Sequence, residues 1–421
     1  MCRQNPQCEG VHQTRILFNA KAPSLGRTFY AICKEGEKYV LGAGAAHGIT
    51  DGAEFDVYED REWPIRSSPM ATLIAGETGA FTTTMVLPSN TTPFSLVEPA
   101  FALQTKAGTE EDLRLHISLD EKFTSIFEEL GREMQRTGPD HRRILLVEKD
   151  RAELSITLEH DRVVFDILNP LVTQFGLTRM PFRVCPNVDD IYPVIRASAH
   201  YHWHLRRTNM KKNLQRQVRI EFTKVIQLEE EYDGDFNPVV KPDGPNLNVG
   251  GVVRLVADPN YMYGIKLVND TPLALYPSLF FFDNSDLSIS EVPTTRREIR
   301  ILKFGLMNLA SYYQPPTAGK FKVDAPLGPK TNDTSGSLTV GYGSGGSVPF
   351  TYFARDGQDV DVGFLKLFLT TEYVDFSNIP QSSPFNPDNR GWKQAQLKTV
   401  STWDTIVIPV VQRRVPGVWT V

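Results

Sequence analysis

His200, His202 and His204 are the densest group of metal-ligating residue types in this 421-residue chain. On a strand the three would share one face and could hold a transition metal; on a helix only His200 and His204 align, as an i,i+4 pair. The flanking pattern favours a helix, the glutamate of H-E-x-x-H is absent, and Arg206 and Arg207 adjoin the group. The reading is a helix end complemented by basic side chains, with no metal assigned. Gly341 to Gly346, GYGSGG, fits the phosphate-cradling G-x-G-x-x-G pattern letter for letter. That loop works only where it leaves a strand and opens a helix, whose free N–H groups hold the pyrophosphate. Here Ser337–Val340 precedes it, and Ser347–Phe353, with its proline, β-branched and aromatic residues, reads as a second strand. A strand-to-strand turn is expected, without a nucleotide.

Other constellations also fall short of a site. Asp233, Asp235 and Asn237 occupy the first three ligand positions of an EF-hand-like loop, but Pro238 stands where glycine is needed and Gly244 where the bidentate glutamate belongs. A solvated acidic loop is the expectation. His47-Gly48 invites comparison with the histidine of a thiol protease, which needs a cysteine positioned to lose its proton to it. No cysteine follows at the caspase-like separation of roughly 50 residues. Cys185, in RVCPNVDD, lies much farther on without a nucleophile signature, so His47 is read as a turn residue. Ser344 and the other serines lack a G-x-S-x-G elbow. No catalytic, cofactor-binding or metal residue is assigned.

The elements that would position such residues are mainly β with an α+β middle. Residues 1–105 read as a small β-barrel-like unit, with strands at Thr28–Ile32, Glu54–Tyr58 and Ala80–Val86 and turns at His47-Gly48 and Asp51-Gly52. Residues 106–212 read as an α+β domain. In it, strand Leu113–Ile117 leads to a helix capped by Ser118, with Phe123, Ile126, Phe127, Leu130 and Met134 on its apolar face. Strands Ile144–Val147, Glu153–Leu158 and Arg162–Ile167 follow, then a helix capped by Asn187 and running to Leu205. Residues 213–414 read as an antiparallel β-sandwich with strands at Val218–Val225, Val252–Val256, Tyr263–Val268, Pro277–Phe282, Leu338–Val340, Pro349–Phe353 and Phe364–Thr370. Glu291–Ala310 interrupts it as a basic amphipathic helix, read as a surface insertion in preference to a membrane-surface or calmodulin-type segment. Residues 415–421 form a tail.

Composition sets the class. Hydrophobic residues at 41% and charged residues at 23% describe an ordinary globular protein, and a net charge of -5 supplies no basic field for nucleic acid or anionic membrane. Cys2, Cys8, Cys33 and Cys185 form no C-x-x-C pair and no disulfide framework. The polar N-terminus lacks the apolar core of a signal peptide, and no stretch reaches a membrane span. The sequons at Asn90, Asn269 and Asn332 are then idle. An intracellular, cytoplasmic protein is expected.

At both ends the wording of the chain is familiar. QNPQCEG (Gln4–Gly10) followed by TRILF (Thr14–Phe18) resembles the segment closing the caspase domain of fungal caspase-like (peptidase C14) proteins. GAGAAHGITDGAEFDVY, FSLVEPAFALQ, LYPSLFFFDNSDLSIS, SYYQPP, GSLTVGYGSGGSVPFTY, DGQDVDVGFLKLFLTTEYVDFSNIPQSSPF and WDTIVIPVVQRR resemble their long C-terminal region. The chain is also distantly similar to β-rich domains appended to bacterial caspase-like proteins. The resemblance implies that the family's catalytic histidine and cysteine belong to a domain preceding Met1, so no residue here takes their roles. It also implies that Glu291–Ala310 and Val415–Val421 depart from the family pattern, and both are read as translated non-coding sequence. Spliced transcripts that all encode Glu291–Ala310 would sink that reading.

The expected function is a non-enzymatic accessory, interaction or regulatory module, with a caspase-like protease domain or another protein as partner. Two alternatives stand beside it. One is a β-sandwich binding glycan or peptide through aromatic loops near Tyr261–Tyr263 and Tyr312–Tyr313; the other is a fragment of a cysteine-type endopeptidase. No cofactor, nucleic-acid or membrane partner is expected.

Overall fold

The computed structural model describes residues 29–59, 69–88, 94–96, 99–106, 108, 113–135, 143–209, 214–232, 238–292, 327–343, 349–374, 376, 379–385 and 402–414. Short strands that alternate apolar and polar residues close on themselves first. They are β1 (Phe29–Glu35), β2 (Lys38–Leu41), β3 (Glu54–Tyr58), β4 (Ala71–Thr78), β5 (Thr83–Val86) and β6 (Ala100–Lys106). They join in the order β1-β2-β5-β4-β3-β6 as a closed barrel, which leaves no free edge. Alternate residues fill it: Leu41, Phe55, Val57, Leu73, Met85 and Ala102 are buried together. The expected strand Ala80–Val86 is shorter, because Gly79 and Ala80 give their carbonyls to the backbone of Ala45 and Ala46 instead.

The middle region holds β7 (Leu113–Ile117), α1 (Thr124–Gln135), β8 (Ile144–Leu146), β9 (Leu154–Glu159), β10 (Arg162–Ile167), α2 (Pro170–Thr173), β11 (Arg179–Val184) and α3 (Val188–Arg206). The sheet order is β11-β10-β9-β7-β8, with β7 parallel to both β8 and β9. Asp120, not Ser118, caps the start of the first helix: its carboxylate accepts the Lys122 N–H at 2.9 Å and a 3-10 turn leads into α1. The helix buries Ile126 and Leu130, whereas Met134, expected on the apolar face, is exposed.

The remaining strands are β12 (Val218–Tyr232), β13 (Pro238–Pro242), β14 (Asn248–Val249), β15 (Val252–Val256), β16 (Met262–Asn269), β17 (Tyr276–Asp283), β18 (Ile289–Val292), β19 (Gly336–Val340), β20 (Phe350–Thr351), β21 (Val360–Thr370) and β22 (Trp403–Arg413). They form two sheets, β13-β12-β16-β19 with β20 on β16, and β14-β15-β22-β21-β17-β18. The sheets share one core that includes Ile220, Phe222, Ile265, Leu267, Leu365 and Val410. The sandwich is not wholly antiparallel, because β15 runs parallel to β22. Glu291 and Val292 end β18 rather than opening a helix; the rest of Glu291–Ala310 and Val415–Val421 lie outside the described residues.

Ten of the eleven residues of β21 are buried. Its odd-numbered Leu365, Leu367 and Leu369 enter the sandwich core, while Phe364 and Phe368 enter a second core shared with α3 and the middle sheet. The six-stranded sheet is therefore an inner layer, apolar on both faces at β21. Lys366 shares the α3-facing side with Phe364 and Phe368, because side chains alternate along a strand.

Candidate functional site

Several perturbed polar groups, Tyr201, His202, Arg207 and Lys366 among them, gather at the C-terminal end of α3. Asn187 starts the helix: its side-chain oxygen accepts the Asp190 N–H at 2.9 Å, and Asp189 and Asp190 favour the positive end of the dipole. Ile191, Val194, Ile195 and Ala199 pack into the shared core. Towards the C-terminus, Tyr201, His202 and His204 are all buried, so this end is enclosed on several sides.

The histidines diverge as a helix requires. His200 and His204 stack edge to face with centroids 4.4 Å apart, and the His200 Nε2 lies 2.8 Å from the Ile379 carbonyl. His202 points elsewhere, into the surroundings of Glu153. Burial pushes its pKa down to about 4, with Arg206 and Arg114 adding to the effect and Glu153 opposing it. Glu153 binds the Arg206 guanidinium and accepts the Arg114 N–H at 3.1 Å. Despite burial, the imidazolium that His202 forms when it takes up a proton, together with the Arg206 interactions, holds its carboxyl below the ordinary range. Among the described residues no group of three or more His, Cys, Asp or Glu could hold a metal ion.

At the end of α3 two cations go inside. Lys366, fully buried on β21, donates from Nζ to the Leu205 carbonyl at 2.8 Å and the Arg207 carbonyl at 2.6 Å, so it caps the helix. Burial, reinforced by the Arg207 charge, pushes its pKa well below the usual value. Arg207 is 9% exposed, and its guanidinium carbon lies 5.7 Å from the Trp203 ring, 5.2 Å from Phe368 and 5.3 Å from Phe376. Burial lowers its pKa to about 9. Among the described residues none of its three side-chain nitrogens finds a hydrogen-bond partner. The barrel reaches this place too: a Cβ on Gly48 would lie 2.3 Å from the Trp203 ring.

A second cluster sits at the other side of Tyr201. The Tyr201 hydroxyl donates to Asn284 Oδ1 at 2.9 Å, and Asn284 donates to the Val362 carbonyl at 2.8 Å. Beside them Arg355 bridges Asp283 at 2.7 Å, Asp286 at 3.0 Å and Asp361 at 2.5 Å. Three carboxylates on one guanidinium leave the group short of positive charge. Burial, then Asp361 and Asp286, raise the Asp283 pKa to about 7 against the pull of Arg355.

The motifs singled out in the sequence fall into packing roles. In GYGSGG the described residues Gly341, Tyr342 and Gly343 follow β19, with β20 next among the strands, as a strand-to-strand turn demands. Gly341 and Gly343 take positive φ, and the Tyr342 ring covers Gly264, where a Cβ would stand 2.4 Å from it. His47 ends a 3-10 turn, Nδ1 accepting the Gly44 N–H at 3.1 Å and the ring lying edge-on to Tyr30 and Phe81. Cys185 Sγ receives an Arg162 N–H at 2.9 Å. Tyr263 is buried and Tyr261 lies under Lys224, so these two offer no open aromatic platform. Asp233, Asp235, Asn237, Ser344, Cys2, Cys8, Tyr312 and Tyr313 lie outside the described residues. No helix among the described residues is long and apolar enough to cross a membrane.

Sequence reasoning missed Lys366 and the burial of Arg207. A lysine on one face of the greasy run GFLKLFLT was the available signal; Arg207 carried none beyond its place after a helix. No family model, no curated protein and no solved structure matches the chain.

Proposed function

We propose that this chain is a non-enzymatic interaction or regulatory module of a caspase-like protease architecture, acting on a protease domain in trans or beside one. The phrase-by-phrase resemblance motivates this reading. The observation that carries it is how the best candidate base and nucleophile are used: His47 holds the Gly44 N–H inside a 3-10 turn, and Cys185 is engaged by Arg162. A ring fixed between Tyr30 and Phe81 is a packing element, not a poised base.

The test is to mix the purified full chain with a separately produced caspase-fold protease domain from a fungal caspase-like protein. Co-elution in gel filtration and a changed cleavage rate on a peptide substrate are expected. Labelling of the chain alone by a caspase-type covalent probe, lost on Cys185→Ala, would overturn the non-enzymatic reading. Independent elution with unchanged cleavage at micromolar concentrations would remove the protease partner.

A further inference from the structure

The turn joining β17 to β18 is buried at Asn284, Ser285 and Leu287, whereas connecting turns ordinarily lie in water. Carboxylates hold it there, and three of them divide their oxygens in the same way. One oxygen of each binds the backbone nearby: Asp283 Oδ1 accepts the Ser285 N–H at 2.8 Å, Asp286 Oδ1 the Ser288 N–H at 2.9 Å, and Asp361 Oδ1 the Val362 N–H at 2.8 Å. The other oxygen, Oδ2 in all three, accepts from the Arg355 guanidinium. Arg355 lies in the loop between β20 and β21, so one side chain fastens that loop to the turn and to β21. Gln358 of the same loop donates to the Ser285 hydroxyl oxygen at 3.0 Å, and that hydroxyl donates to Asp361 at 2.8 Å. Arg414, just past β22, donates to the Arg355 carbonyl at 2.8 Å.

Three oxygens converging on one guanidinium repel one another. With all three carboxylates ionised they outnumber the guanidinium in a place largely withdrawn from water, which favours keeping one proton among them. Asp283 faces Asp286 from the turn, Asp361 from β21, Arg355 from the loop and Tyr201 from α3. Burial first, and then the three carboxylates, keep the Tyr201 hydroxyl protonated, so it remains a donor to Asn284. Burial and the two neighbouring carboxylates raise the Asp283 pKa from 3.8 to about 7. A loop that swings out returns the carboxyl to water and to its ordinary value. The closed form therefore binds more protons than the open form between these two values. Closure strengthens as pH falls from about 7 and is at its weakest, and level, above that.

We propose that Arg355 and the carboxylates of Asp283, Asp286 and Asp361 form a pH-sensitive latch, which closes the β20–β21 loop onto the buried β17–β18 turn while they share a proton and loosens as that proton is lost. Asn284 of the same turn holds Tyr201, so the state of the latch reaches α3. The latch stands whether or not the chain partners a protease.

The experiment is hydrogen exchange of the full chain, followed by mass spectrometry at about pH 5 and about pH 7.5, with the intrinsic exchange rates divided out. Peptides covering residues 283–288 and 355–361 report on the latch, and one covering residues 365–369 reports on the core of β21. Protection of the latch peptides is expected to fall at least about tenfold between the two pH values, and to stay below that of the core peptide at both. Asp283→Asn keeps an acceptor for Arg355 but removes the titrating carboxyl, so its latch peptides should change less than about threefold. Unchanged protection of the wild-type latch peptides overturns the proposal, as does protection equal to that of the core peptide at both pH values. A full wild-type response in Asp283→Asn overturns it too. Should that variant not fold, the wild-type comparison decides alone.

Discussion

Acid should weaken this protein through His202, a histidine kept neutral inside. Its pKa in the folded chain is about 4 against an ordinary 6.5, and the main cause is burial beside Tyr201 and Glu153. Between those two values the unfolded chain takes up a proton that the folded chain refuses. Folding stability therefore falls as pH drops through 6.5 and levels off only below the folded value. From pH 7 to about pH 4.5 the two pKa values correspond to a loss of about 2 kcal/mol from this side chain alone. Glu153, whose folded pKa is lowered, loses stability in the same direction, so the wild-type curve alone does not isolate the histidine. The assay is urea unfolding at several pH values for wild type and His202→Gln. The variant is expected to be less stable near neutrality, having lost packing, but its further decline to about pH 4.5 should be about 2 kcal/mol smaller. Equal declines in the two proteins would refute the assignment, whatever the variant's starting stability.

Asp283 has the opposite sign: its folded pKa of about 7 exceeds the ordinary 3.8, so its contribution is present at low pH and is lost as pH rises towards 7. Asp283→Asn, which keeps an acceptor for Arg355, should gain on the order of 2 kcal/mol over wild type between about pH 5 and pH 8, measured by denaturant unfolding. Gly48→Ala places a Cβ 2.3 Å from the Trp203 ring at φ +85°, and should cost roughly 2–3 kcal/mol, with Trp203 fluorescence shifting as the barrel moves off α3. Gly341→Ala brings strain at φ +87° and a Cβ within 3.2 Å of the Tyr263 carbonyl oxygen; a thermal melt should show a loss of about 1–2 kcal/mol.

Local chemistry made some elements readable. Asn187 before an acidic first turn marks α3, and alternation marks β3 and β15 with the bounds expected. Elements fixed by distant partners were harder. β22 carries Pro409, which argues against a central strand, yet pairing with β15 begins only at Val410, one residue beyond it. The mixed direction of β15 and β22 depends on a crossover that no local pattern encodes. Gly341–Gly343 were legible as the end of a strand rather than a helix-opening loop because residue types on both sides suit strands. Their use, seating Tyr342 over Gly264, is a contact between elements far apart in sequence.

Burial of charge is the least local property of all, and α3 shows why. Basic residues after a helix usually stay in water, so Arg206 and Arg207 look equivalent in sequence. Arg206 does find a carboxylate, Glu153, on the middle sheet. One residue later the chain turns under the inner sheet, and Arg207 meets Phe368 and Phe376 instead. The difference is set by β21, whose two apolar faces require a covering layer on each side. Once Lys366 sits among the phenylalanines, its donors need acceptors, and the carbonyls ending α3 supply them. That requirement fixes where the helix end lies along β21, and it carries Arg207 inside with it. The buried Arg207, whose guanidinium finds no acceptor among the described residues, thus follows from how two elements were brought together.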